Sequence, residues 1–386
     1  MEKIIYADHA ATSPLSPEVL AVMMPYLTES YGNPSSLHAA GQAVRKDVED
    51  ARQEVVSLLG GENPQEIIFT SGGTEADNLA VKGFLEGSKK KHMITSKIEH
   101  PALLQTCGYL EKNGYSVTYL SVDKDGLISL KELEEAITPE TALVSIMAAN
   151  NEIGTIQPIK EIGQLCQDKG VIFHCDAVQA IGHVPINVKE MNIDMLSLSA
   201  HKLGGPKGAG VLYARRGIRL ISQIHGGGQE RSRRSGTESP ANIIGTAKAL
   251  SMVCENLEKN NAHAKKLSDR LKEGLLKIPY SHFTGHPSQR LSGTSSFVFE
   301  AIEGEGMLLL LDMYGICCST GSACASGSLD PSHVLMAIGL PHEIAHGSLR
   351  ITLNHLNTEE EVDTIIEKIT AVVERLRKMS PIWNNE

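Results

Sequence analysis

The sequence predicts an α/β protein with two parts: a large domain on a mainly parallel sheet covered by helices, then a smaller α/β domain. Two observations carry this. Through the first two thirds of the 386 residues, apolar runs of strand length alternate with amphipathic helical stretches. Such alternation builds crossover connections, and a sheet buried on both faces reads as continuous apolar runs. After about residue 240 the pattern changes to a long helical region and then a second βα section. A chain of this length can bury two cores.

The elements follow in order. Gly41 to Leu59 reads as an amphipathic helix, with Val44, Val48, Ala51, Val55 and Leu58 on one stripe and Gly60 as its stop. "EIIFT" (66–70) is a short buried strand, and "SGGT" then turns into a helix starting near Glu75. "YSVTYLS" (115–121) is a strand, and Ser129 with Glu132 forms a capping-box pattern for a helix over 130–137. "ALVSIMAAN" (142–150), "VIFHCDA" (171–177) and "MLSLSA" (195–200) are further strands, separated by helical stretches such as 159–169. One long helical region spans about 239–276, and the strands "SSFVFE" (295–300) and "SLRITL" (348–353) follow. Thr358 and Glu361 form a capping box for a last helix running to about Met379. The large domain is expected over 15–256. Residues 1–14 and 257–386 are expected to form the small one, with the N-terminal dozen packing back on it.

Composition narrows the function. Hydrophobic residues make up 41%, and no apolar run is long enough to span a bilayer. "MEKIIYADHAATSP" lacks the basic-then-apolar pattern of a secretory signal, so a cytoplasmic location is expected. Net charge is -10 and no basic tract is present, which argues against direct nucleic-acid binding. Seven cysteines in so long a chain argue against a disulfide framework. Cys317 and Cys318 are adjacent, Cys324 follows six later and His333 nine after that. No second Cys/His pair stands at zinc-finger spacing, and no metal site is expected.

Ligands of parallel sheets bind at the carboxyl ends of strands, and the informative residues sit there. "FTSGGTEADN" (69–78) is strand, Gly-rich turn and helix, a geometry offering backbone N–H groups and the Thr74 hydroxyl to a phosphate. Alone, a Gly pair in that place is more often only a tight turn. "HCDAVQ" (174–179) ends another strand at Asp176, which reads either as a helix N-cap or as the partner of a cationic ring nitrogen. "SLSAHKLGGPKG" (197–208) delivers Ser199, His201 and Lys202 in succession before a Gly-Pro break. A lysine directly after an apolar strand should enter the cleft, where desolvation lowers its pKa and equips it for Schiff-base chemistry. Phosphate donors, a strand-end Asp and a strand-end Lys are together the parts of a pyridoxal phosphate (PLP) site.

Ten motifs in order resemble the NifS/IscS-type cysteine desulfurases, PLP enzymes of fold type I in the class V aminotransferase group. They are "YADHAATSP" (6–14), "YGNPSSLH" (31–38), "FTSGGTEADN" (69–78), "IEHPA" (98–102), "NNEIGTIQP" (150–158), "HCDAVQ" (174–179), "LSAHKLGGPKG" (198–208), "HGGGQERSRRSGT" (225–237), "STGSACASGS" (319–328) and "SLRITL" (348–353). The resemblance covers nearly the whole chain and implies a seven-stranded, mainly parallel sheet in the large domain.

The resemblance also implies roles. Lys202 corresponds to the PLP-binding lysine, and His100 to the histidine that stacks on the ring and helps proton transfer. Asp176 and Gln179 correspond to partners of the ring nitrogen and phenolic oxygen, and Gly73, Thr74, Ser199 and His201 to the phosphate cup. Asn151 is implied at cofactor and substrate, and Asn33 and Arg350 at the substrate, with Arg350 clamping its carboxylate. An Arg alternating with apolar neighbours in a strand is costly unless paired. Thr237 corresponds to a threonine reaching the PLP phosphate of the other subunit, which implies a homodimer.

Cys324 corresponds to the cysteine that accepts sulfur from L-cysteine as a persulfide and passes it to an acceptor protein. Its Ser, Ala and Gly neighbours predict a mobile loop, over about 317–332, that leaves the sulfur accessible. Inert packing suits Cys107, Cys166 and Cys254 better, and Cys317 and Cys318 either pack or take sulfur from Cys324. Some relatives carry a longer C-terminal tail that docks an iron–sulfur scaffold, so a tRNA-thiolating enzyme is an equal expectation as acceptor. Alternatives are another class V enzyme (an aminotransferase or a selenocysteine lyase) and a non-catalytic sulfur-relay protein that keeps only the fold.

Overall fold

The computed structural model describes residues 4–321, 330–381 and 383. Strand β1 (Ile5–Tyr6) precedes seven strands that form one sheet: β2 (Ile67–Thr70), β3 (His92–Ser96), β4 (Ser116–Leu120), β5 (Thr141–Met147), β6 (Ile172–Asp176), β7 (Met195–Ser199) and β8 (Gly210–Ala214). Their spatial order is β2-β8-β7-β6-β5-β3-β4. Every pairing is parallel except the two made by β8. The reason is local. Only residues 200–209 separate β7 from β8, too few for a crossover helix, so the chain turns back on itself. Strands β5 and β7 are buried along their whole length, as a sheet covered on both faces requires.

The remaining strands are β9 (Ser281–Phe283), β10 (Thr294–Phe299), β11 (Ile316–Cys317) and β12 (Ser348–Thr352). β12, β10 and β9 make an antiparallel sheet, while β1 pairs with β11 in parallel. Phe297, Phe299, Leu349 and Ile351 pack there with Leu267 and Leu271 from one helix and Ile365 and Ile369 from another, and Ile5 and Ala7 join the same core.

Most expected elements appear with small shifts. The first amphipathic helix runs Ala39–Leu58, with Gly60 at φ 78° after it, a left-handed geometry that favours glycine. The helix expected near Glu75 begins two residues earlier and spans Gly73–Gly87. The region expected as one helix over 239–276 is two, Pro240–Glu255 and Leu257–Leu275, which meet at Asn256 in a non-helical conformation. Helical periodicity runs through the join and hides it. The last helix, Glu359–Met379, carries the reciprocal Thr358–Glu361 capping box.

Candidate active site

The carboxyl ends of β2, β6 and β7 meet on one edge of the large sheet. β2 leads through Gly72 into helix Gly73–Gly87, and the approach is close. A Cβ on Gly210 would stand 2.6 Å from Gly72 C, and one on Gly73 would stand 2.7 Å from Val178 Cγ2 and 3.6 Å from Ser199 Cβ. Glycine at these points therefore brings the helix start, the end of β7 and the segment after β6 together. Ser199 is buried, and Thr74 is exposed in the first helical turn. Glu75 accepts from Ser71 N at 2.8 Å and pairs with Arg234 at 2.8 and 3.2 Å.

Lys202 closes a short 3-10 turn, Ala200–Lys202, directly after β7. Its Nζ donates to the carbonyl of Ala10 and, at 2.7 Å, to that of Ala11. Gln179 Nε2 donates to the same Ala10 carbonyl at 3.0 Å. Thr12 Oγ1 lies 3.1 Å from His201 Nδ1, and Ser13 N donates to His201 O at 2.9 Å. The run Ala10–Ser13 is thus laced along the Ala200–Lys202 turn, and its small residues allow that approach. Burial lowers His201 to about 4, and the charges of Lys202 and Lys207 add to it.

His100 is the N-cap of helix Pro101–Lys112, its Nδ1 accepting from Ala102 N at 3.1 Å. Burial lowers it to about 4, and the Lys202 charge adds to the effect, so the imidazole is neutral. Asp176 ends β6, and its Oδ1 accepts from Val178 N at 2.9 Å. Burial raises its pKa, while the Val178 amide and the Lys202 charge pull it down. Of the two readings of Asp176, the helix N-cap is replaced by the cap of a turn, since no helix follows β6, and the carboxylate remains as a candidate partner for a ring nitrogen. Glu99, beside His100, was not foreseen as part of the site. It is fully buried, accepts from Ser96 Oγ at 2.6 Å and Met147 N at 3.0 Å, and is raised to about 8 by burial.

Arg350 projects from β12 and is 3% exposed. Its Nη2 pairs with Asp8 Oδ1 at 2.9 Å and its Nη1 donates to Asn151 O at 2.9 Å. Asn151 and Arg350 are thus joined, and the partner that a buried Arg demands is Asp8. The motif containing Asp8 was visible in the sequence, but pairing across more than 300 residues was not. Next to Asn151, buried Glu152 accepts from Ser332 Oγ and is raised to about 7 by burial.

Two more predicted residues are exposed. Asn33 is exposed and its Oδ1 accepts from Ser35 N at 2.9 Å within its own turn. Thr237 is exposed and lines a cavity of about 150 Å³ with Ser71, Gly210 and Arg234. Its loop is held by the buried Arg52, which pairs with Glu230 at 2.6 and 3.0 Å. That pair anchors three consecutive left-handed residues, Glu230, Arg231 and Ser232, at φ 45°, 56° and 64°. Cys324 lies outside the described residues. Of the other cysteines, Cys107, Cys166 and Cys175 are buried, and burial pushes the Cys318 thiol up to about 12.

A family model described as aminotransferase class-V matches residues 5–365. The chain belongs to the class-V aminotransferase family. Within that family it is 54% identical over 386 residues to the cysteine desulfurase IscS of Methanosarcina thermophila, a match covering all of this chain and 95% of the relative. It is 53% identical to IscS of Clostridium botulinum strain Hall, covering all of this chain and 98% of that one. Among solved structures it is similar to a NifS-like protein, with a TM-score of 0.92 at 40% identity over 97% of this chain and all of the other. It is also similar to SspA in complex with cysteine, with a TM-score of 0.80 at 38% identity over 90% of this chain and 98% of that one.

Class-V desulfurases use PLP, and the residues of this chain fit that cofactor. The glycine cradle at Gly72–Gly73 beside Ser199 leaves the N–H groups of a helix start to meet a phosphate. Lys202 offers an amine that donates to the Ala10 and Ala11 carbonyls, and Asp176 offers a buried carboxylate that a ring cation would compensate.

Proposed function

We propose that the protein is a PLP-dependent cysteine desulfurase that takes sulfur from L-cysteine, releases L-alanine and passes the sulfur as a Cys324 persulfide to an acceptor protein. The observation that carries this reading is Lys202 in the turn directly after β7, electrostatically linked to a neutral His100 and a buried Asp176. PLP supplies an electron sink for the pair left at the amino acid's Cα. Asp176 and Gln179 hold its ring, and Gly73, Thr74, Ser199 and His201 hold its phosphate. The Lys202 amine removes and returns the Cα proton. His100, neutral at working pH, accepts or donates a proton as the C–S bond breaks. Asn151 and Arg350 hold the substrate, Arg350 through a bidentate pair with its carboxylate. Asn33 is a further substrate contact in this reading.

Cys324 is assigned from its sequence context. Its thiolate attacks the substrate sulfur, an S–S bond forms, and the C–S pair stays on carbon, which protonation converts to alanine. A loop that reaches both cofactor and surface is part of this reading. So is a homodimer, in which the exposed Thr237 reaches the partner's cofactor phosphate. Leu20, Met24 and Leu27, exposed along helix Pro17–Thr28, support an apolar contact between subunits. The acceptor is an iron–sulfur scaffold or a tRNA-thiolating enzyme, and free cysteines support a cytoplasmic setting. Among the described residues no helix is long and apolar enough to cross a membrane.

The test is alanine and sulfide released from L-cysteine by PLP-loaded protein with a reductant, beside Cys324→Ser. Stoichiometric alanine from the parent protein alone supports the reading. Amino transfer to a keto acid without alanine release overturns it in favour of an aminotransferase.

A further inference from the structure

Arg350 has a division of labour among its nitrogens that the pairing with Asp8 leaves unfinished. Nη2 is engaged by Asp8 and Nη1 by the Asn151 carbonyl, while Nε is buried and has no hydrogen-bond partner among the described residues. A guanidinium that presents an open Nε edge in a buried place is arranged for a second, planar acceptor. Asp8 itself is not committed to Arg350. Only Oδ1 faces it, and Oδ2 accepts from Ser319 Oγ at 2.8 Å. The backbone of Ser319 in turn bridges that of Arg350, with N to O distances of 2.6 and 3.2 Å. Asp8 follows β1, and its side chain keeps 15% of its surface in contact with solvent.

We propose that Asp8 is a placeholder for the substrate's α-carboxylate, an internal carboxylate that neutralises Arg350 before substrate arrives and is displaced from it on binding. This rests on the reading of Arg350 as the carboxylate clamp. The exchange is carboxylate for carboxylate, so the buried guanidinium never stands uncompensated. The displaced Asp8 keeps its bond to Ser319 and its access to water. Asp8 is then a specificity-determining residue. A ligand must bring its own carboxylate to offset the ion pair that it breaks, and every ligand of Arg350 binds more weakly than the site would otherwise allow.

The test titrates L-alanine, the product, into PLP-loaded holoenzyme and follows the visible absorption of the cofactor. Removing the internal competitor in Asp8→Asn should tighten L-alanine roughly three- to tenfold, the range set by one partly exposed ion pair. Asp8→Glu, which restores the charge, should return affinity toward the parent value. Should the Asn variant fail to fold or load, Asp8→Ser keeps an oxygen acceptor without charge and should tighten binding likewise. Unchanged or weaker L-alanine binding in the folded neutral variants overturns the placeholder and makes Asp8 a residue that merely orients Arg350. Arg350→Ala is the separate control. If it leaves L-alanine binding unchanged, the clamp reading itself fails. If it weakens binding while Asp8→Asn does not tighten it, only the placeholder fails.

Discussion

At the scale of single residues, the site works by contrasts of charge within a small space. Burial, with Lys202 nearby, lowers His100 so that its imidazole is neutral, while burial raises the pKa of Asp176. Replacing Lys202 with Ala removes the amine proposed to move the Cα proton. Alanine formation should fall by about 10²- to 10⁴-fold, the usual share of a general acid–base group, and single-turnover assays would measure it. The sequence motif around Lys202 was enough to single out this residue. Asp8 stands in an equally visible motif, yet its pairing is not legible there, because its partner Arg350 lies 342 positions away. The only signal was indirect: a buried Arg at the centre of an apolar strand requires a counter-charge from somewhere.

At the scale of elements, two local devices set the geometry. The first is the meeting of Gly210 on β8 with Gly72 at the start of a helix. A methyl at 210 would stand 2.6 Å from backbone atoms that cannot give way. Gly210→Ala should therefore cost about 1–3 kcal/mol of stability and weaken PLP retention, which thermal melting and dialysis against buffer would show. The second is the Thr358–Glu361 capping box on helix Glu359–Met379. Thr358→Ala should lower stability by about 1 kcal/mol, which thermal melting would show. Spacing in the sequence disclosed this box directly. The antiparallel course of β8 and the break at Asn256 were not disclosed, because the first depends on pairing between strands and the second interrupts no periodicity.

At the scale of the whole molecule, buried titratable groups of opposite kind shape stability against pH. His174 in β6 is lowered to about 3 by burial. Its contribution is complete above the unfolded pKa of about 6.5 and is lost as pH falls from there. Glu99 is raised to about 8 by burial. Its contribution is complete below the unfolded value of about 4.3 and is lost as pH rises toward 8. The two together favour an intermediate pH and penalise both sides. Glu99→Gln should flatten the alkaline side, so that the melting temperature of the variant falls less than that of the parent between pH 6.5 and 8.5. An equal fall in both proteins would show that Glu99 is already ionised in the folded state over this range.

What the sequence by itself determined is the alternation of strands and helices, the capped final helix, and the choice of candidates such as Lys202, Asp176 and His100. Those features depend on neighbours within a few positions, where periodicity, turn chemistry and motif spacing operate. What only the tertiary structure decided is which groups face one another: Asp8 with Arg350, Arg52 with Glu230, Glu152 with Ser332, and the Ala10–Ser13 run against Lys202 and His201. Each joins segments far apart in the chain. Such contacts follow from the packing of whole elements around two cores, and no local pattern records them.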